Sequence, residues 1–163
     1  MAVYFSASEI LDVAIGIENN GVAFYQAMSQ KTQNKDIRAI YEYLMSEEKK
    51  HLTTFQNMKG SAGNYHSPES YGGEYMRYLK SLIDNAVFSD EVRAKEKAII
   101  VNDELEALDT GIQAEKDSIL FYSEMQNIIA ESDRKIIYDI VNEEKAHLRQ
   151  LSELKEIVNK TRG

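Results

Sequence analysis

Apolar residues recur along most of the chain at spacings of three and four, the period of one helix face. A first stripe, Leu11, Ala14, Ile15, Glu18, Val22, Tyr25 and Met28, predicts a helix over residues 8–30 with Ser8 as its N-cap. A second, Ile37, Tyr41, Leu44, Glu48, His51, Phe55 and Met58, predicts one over 35–58, ended by Gly60 and Gly63. A third runs Leu105, Leu108, Ile112, Glu115, Ile119, Tyr122, Gln126, Ile129 (103–129), and a fourth Ile137, Ile140, Glu144, His147, Leu151, Leu154 (133–158). Residues 59–102 hold turn residues, an amphipathic stretch and a charged stretch, which predicts a connection with one or two shorter helices. Alternating β-branched runs bounded by turn pairs are absent, so no strands are expected. Four helices of about 35–40 Å, paired by short loops, predict one all-α, four-helix bundle over residues 1–163. Its long crossover lets the third helix run parallel to the second.

The two pairs repeat each other. A shift of 97 places Ile15, Glu18, Phe24, Tyr25 and Met28 on Ile112, Glu115, Phe121, Tyr122 and Met125. A shift of 96 places Ile40, Glu47, Glu48, Lys49, His51 and Leu52 on Ile136, Glu143, Glu144, Lys145, His147 and Leu148. The one-residue slip falls in the loop between helices, where length changes are tolerated.

Charge and composition then narrow the chemistry. The net charge of −8 makes nucleic acid an unexpected partner. Apolar runs fall far short of a membrane span, and the start MAVYFSASEI has neither a basic stretch nor an extended apolar core, so neither membrane insertion nor a signal peptide is expected. The absence of cysteine excludes disulfides, thiolate-held zinc, iron–sulfur clusters and a cysteine nucleophile; it suits a reducing compartment, and a cytoplasmic location is expected.

Six ionisable residues interrupt the apolar stripes: Glu18, Glu48, His51, Glu115, Glu144 and His147. A buried carboxylate costs several kcal/mol unless it is paired or binds a metal. In Glu48-x-x-His51 and Glu144-x-x-His147 both side chains project from one helix face. One Glu from each of two helices with a Glu-x-x-His from each of the other two is the donor pattern of di-iron and di-manganese carboxylate bundles. Four carboxylates and two neutral imidazoles carry −4, which two divalent metals neutralise. The plain alternative is a buried polar network that specifies bundle register.

With the doubled Glu-Glu-x-x-His (EEKKH and EEKAH) and the partners Glu18 and Glu115, the sequence resembles the ferritin-like di-iron carboxylate superfamily, and within it the rubrerythrin group. The resemblance covers about 8–58 and 103–158 but not the connection. It implies two iron ions per chain, with manganese or a mixed pair as alternatives. Glu48 and Glu144 would bridge them, Glu18 and Glu115 would be terminal ligands, and His51 and His147 would cap one iron each. The four glutamates would then be catalytic through the metals of an oxidoreductase acting on H2O2 or O2, fed by an external electron-donor protein in a homo-oligomer, expected as a dimer. A ferroxidase or other iron-handling protein and a non-enzymatic metal-binding module are the alternatives.

Two departures stand out. The position three before Glu115, where rubrerythrins usually carry a further glutamate, is Ile112, so the ligand swap linked to peroxide reduction lacks a partner. The chain also has no cysteine for a rubredoxin module. Glu47 and Glu143 point about 100° away from the ligand face and are expected to be solvated or to form inter-helix ion pairs. Tyr25 and Tyr122 share the face of Glu18 and Glu115 and are expected to have hydrogen-bond partners. His66 is expected to be exposed, and Tyr65, Tyr71, Tyr75 and Tyr78 to pack the connection or a dimer contact.

Overall fold

The computed structural model describes residues 6–61 and 73–162. Its helices are α1 (Ala7–Lys31), α2 (Lys35–Ser61), α3 (Gly73–Asp84), α4 (Glu91–Ile100), α5 (Glu104–Ile128) and α6 (Arg134–Arg162), with a 3-10 turn, Glu131–Asp133, before α6. No strand occurs among the described residues. α1 packs along α2 and α5 along α6, while α1–α5 and α2–α6 contacts close the bundle. α3 lies against α5 and α4 against α1.

Local chemistry sets the ends. α1 is capped by Ser6, not Ser8: Glu9 N–H donates to Ser6 Oγ at 3.2 Å, and Ser6 N–H donates to Glu9 Oε2 at 2.7 Å. Ser6 has a Glu three residues on to complete this reciprocal box, whereas Ser8 has Leu11. The Asn34 side chain accepts from Asp36 and Ile37 N–H at 2.9 and 3.2 Å and starts α2. Gly60 does not end α2, which runs on to Ser61; one helical glycine costs only about 1 kcal/mol, too little to stop a helix already packed along its length. α6 likewise runs four residues past the expected end, to Arg162. Gly63, His66, Tyr65 and Tyr71 lie outside the described residues.

The core has two apolar layers with a polar layer between them. One layer joins Ile10, Leu11 and Ala14 of α1 with Phe55 and Met58 of α2, Tyr122 and Met125 of α5, and Ile137 and Val141 of α6. The other joins Phe24 and Met28 with Ile37, Tyr41 and Leu44, Ala107 and Leu108, and Leu151 and Leu154. In each helix the ionisable residues fall between these sets. α2 therefore ends, and α5 begins, at opposite ends of the bundle, so the two run parallel.

The crossover contains two helices and travels that length. Met76 and Leu79 of α3 join the first layer; Ala94 and Ala98 of α4 join the second. Lys31 Nζ fastens the far end by donating to Ala98 O and Ile99 O, both at 2.9 Å, and to Val101 O. The first two are C-terminal carbonyls that α4 cannot satisfy internally, and Val101 is the residue that caps it.

Candidate metal centre

All six residues singled out above meet in the polar layer, each at most 3% exposed. They form two groups that share members. Glu18, Glu48, His51 and Glu144 bring one donor atom each to within 4.8 Å of one another, and so do Glu48, Glu115, Glu144 and His147. Glu48 and Glu144, from the two Glu-x-x-His helices, belong to both.

The histidines point the same nitrogen inward. His51 Nδ1 faces Glu144 Oε1 at 3.0 Å and Glu18 Oε2 at 3.6 Å. His147 Nδ1 faces Glu144 Oε2 at 3.1 Å, Glu48 Oε1 at 3.5 Å and Glu115 Oε2 at 3.8 Å. The rings lie 5.8 Å apart and near-parallel. The outward His51 Nε2 donates to Glu143 Oε2 at 2.7 Å, across from α2 to α6. A carboxylate there keeps the proton on Nε2, so that Nδ1, once its own proton is displaced, presents its lone pair to the polar layer. Glu143 is thus an inter-helix partner, although it is half exposed. Its repeat mate Glu47 pairs instead with Lys50 at 2.5 Å along its own helix.

The tyrosines cross the repeat. Tyr25 OH on α1 donates to Glu115 Oε1 on α5, and Tyr122 OH on α5 donates to Glu18 Oε1 on α1. The hydrogen-bond partner expected for each tyrosine is therefore a buried glutamate of the opposite hairpin. Two glycines make room. A Cβ on Gly21 would meet Glu48 Oε2 at 3.0 Å; one on Gly111 would meet Leu151 Cδ1 at 3.2 Å and the Tyr25 ring at 3.5 Å.

Burial pushes the Glu18 carboxyl well above the usual range, with Glu48 adding to it, and does the same to Glu115 with Glu144 and Glu48 adding. Burial acts upward on Glu144 too, but the close imidazoles of His147 and His51 outweigh it and hold that carboxyl below the usual range. Burial opposes charge on the imidazoles, yet the carboxylates win. Glu144 and Glu18 push His51 up to about 12, and Glu144 and Glu48 push His147 up to about 9. Burial raises Tyr25 and Tyr122 well above their ordinary value, so both remain neutral donors.

The donor set fits a pair of divalent metals. Glu18 Oε2, Glu48 Oε1, His51 Nδ1 and Glu144 Oε1 are buried without a hydrogen-bond partner. His51 Nδ1 and Glu144 Oε1 are near in distance but lack hydrogen-bond geometry. Unpaired buried polar atoms cost about 1–3 kcal/mol each, and four that converge on shared points have the chemistry of metal ligands.

The rubrerythrin family model matches residues 9–155, nearly the whole chain. The chain belongs to the rubrerythrin family. Among solved structures, this rubrerythrin-family chain is similar to a Thermotoga maritima protein described as a candidate ferritin-like diiron-carboxylate protein. Identity is 27%, with 94% of this chain and 96% of that one covered and a TM-score of 0.71. A hypothetical protein of Pyrococcus furiosus shares the fold at 18% identity and a TM-score of 0.66, over 96% of this chain and 92% of that one. Among curated proteins the chain has no match. The family does not explain two features of this rubrerythrin-type site. Ile112 is half-buried and packs into the second apolar layer, so no fifth carboxylate stands there. Glu143 was not legible as a histidine partner, because that role depends on how α6 faces α2.

Proposed function

We propose that the chain is a non-haem di-iron oxidoreductase that reduces a small oxidant, H2O2 or O2, with electrons from an external donor protein. The observation that carries this reading is the sharing of Glu48 and Glu144 between two buried donor groups with one histidine each. Glu18 with His51, and Glu115 with His147, would hold one metal each, and Glu48 and Glu144 would bridge. A bound pair of Fe(II) ions supplies the two electrons that convert one H2O2 and two protons into two waters. The chain's own residues do the rest. Tyr25 and Tyr122 fix the terminal carboxylates, Glu143 orients His51, and the apolar layers above and below exclude bulk water. The printed description of the Thermotoga maritima protein agrees with this reading. The same ligands accept manganese, so metal availability decides between the two. An external donor is needed because no cysteine is present to hold a rubredoxin-type iron, and a homodimer is the proposed working unit.

Ile112 in place of a glutamate favours a second reading, a ferroxidase that passes its iron on. Rapid mixing separates the two. Protein loaded with Fe(II) anaerobically, then mixed with either H2O2 or O2 and afterwards with an external reductant, should oxidise faster with H2O2 and turn over repeatedly. Preference for O2 with iron release would establish the ferroxidase. No oxidation by either, with both metals bound, would contradict both.

A further inference from the structure

A cavity of about 380 Å³ lies between α1 and α5, under the link that joins α3 to α4. Its floor is Tyr25, Glu48 and Glu115, which belong to the metal centre. Its walls and roof are mainly apolar, with Val13, Ile17, Ile83, Ala86, Phe88 and Phe121. The roof is tied down by a pair of repeat-equivalent polar residues, 97 positions apart. Asn20 Nδ2 on α1 donates to Phe88 O at 3.4 Å, and Val87 N–H donates to Asp117 Oδ2 on α5 at 2.7 Å. Gln113 holds the other oxygen of Asp117 at 2.9 Å. The link is therefore strapped to both helices at adjacent residues.

The space is far larger than the oxidant needs. A water's share of liquid volume is about 30 Å³, and a cavity of about 150 Å³ takes benzene. The volume falls in the usual range of about 300–1,000 Å³ for small-molecule sites. Gly16 lines the space, and a Cβ placed on it would meet nothing within 4 Å. No backbone feature calls for glycine there, and mid-helix it costs about 1 kcal/mol against alanine. Ala114 and Ser118 face it from α5. A larger residue at any of these positions would fill the space. Among the described residues no basic side chain lines the space, so an anion finds no counter-charge there, and the mainly apolar lining favours an uncharged molecule.

We propose that this chamber binds a small, uncharged, mainly apolar organic molecule of one or two rings or a medium-length chain, with one end against Tyr25, Glu48 and Glu115. This names a second substrate class for the centre. Its role beside the metals rests on the di-iron reading, whereas the binding does not. The test uses N-phenyl-1-naphthylamine, an uncharged probe whose fluorescence rises in apolar surroundings. It is titrated into the metal-free and the iron-loaded protein, with iron per chain measured separately. Saturable binding of one probe per chain is expected, weakened at least tenfold by Gly16→Leu and by Ala114→Leu, on opposite walls. Gly60→Leu, at the exposed end of α2, should leave it unchanged, and Gly16→Leu should keep the wild-type iron content. Absence of saturable binding, or equal binding in wild type and both wall variants, would overturn the proposal. Wall-sensitive binding without iron uptake would keep the chamber and remove the di-iron reading; iron uptake without probe binding would do the reverse.

Discussion

The two hairpins, α1–α2 and α5–α6, carry the same ligand pattern but support it differently. The ligands obey the repeat: Glu18 with Glu115, Glu48 with Glu144, His51 with His147. The tyrosines obey it too, Tyr25 reaching Glu115 and Tyr122 reaching Glu18 in the opposite hairpin. The surroundings do not. His51 has the Glu143 carboxylate on its outward nitrogen, while Glu47 stays with Lys50 and Tyr43 stands edge-on to His147 with ring centres 6.2 Å apart. Gly21, beside Glu48, is matched by Ser118. The candidate donors are thus matched in both halves, whereas their supporting contacts differ. The two metal positions are therefore expected to be unequal.

The largest effect should come from the residues that both halves share. Glu48→Ala and Glu144→Ala should each remove most binding of both metals, while Glu18→Ala or Glu115→Ala should chiefly weaken one. Elemental analysis of the four variants checks this, and a bridge variant that kept two metals would show the roles are wrong.

Next in size is the pH dependence of the metal-free protein. His51 and His147 are held above their ordinary value of 6.5. Their stabilisation is thus complete below about pH 6.5 and is lost as pH rises, through about 9 for His147 and about 12 for His51. The raised Glu18 and Glu115 act in the same direction. Between pH 7 and 9.5 the metal-free Tm should fall by about 5 °C or more, at about 2–4 °C per kcal/mol for a chain of this size. Metal binding displaces the same protons, so affinity should rise across that interval. Calorimetry with and without metal measures both; a metal-free Tm that stayed flat would show that the imidazoles are not held charged.

Glu143→Gln should sharpen the inequality, weakening the His51 position about 10–100-fold. Glu47→Gln should change the His147 position little. A Co(II) titration should turn clearly biphasic for the first variant only. The smallest effects are symmetric. Tyr25→Phe and Tyr122→Phe each leave a buried carboxylate oxygen without its donor, costing about 1–2 kcal/mol by thermal unfolding. The two values should agree closely.

The outer helices were the most legible in sequence. Every expected inward residue of α2, from Ile37 to Met58, is buried, as is every one from Ile137 to Leu154 in α6. Each buries one stripe, so periodicity alone identifies it. In α1 the expected Ile15 and Val22 are only half-buried, while Ala23 and Phe24, off that stripe, are fully buried. The crossover covers a second side of α1, and a single-stripe reading cannot see a second neighbour. The six candidate ligands were legible because ionisable residues on an apolar stripe are costly to bury and the twofold repeat supplied each of the three positions twice, across all four stripes. Asn20 and Asp117 were not legible in the sequence; their function as ties depends on where residues 87 and 88 pass. Glu143 required the α2–α6 contact, which no local pattern encodes.

The most direct test of the central claim is iron per chain after anaerobic reconstitution with Fe(II), desalting and elemental analysis, with Glu48→Ala alongside. Two irons in the wild type and almost none in the variant are predicted. One iron or none in a folded wild type, or two in the variant, would contradict a centre built on shared Glu48 and Glu144.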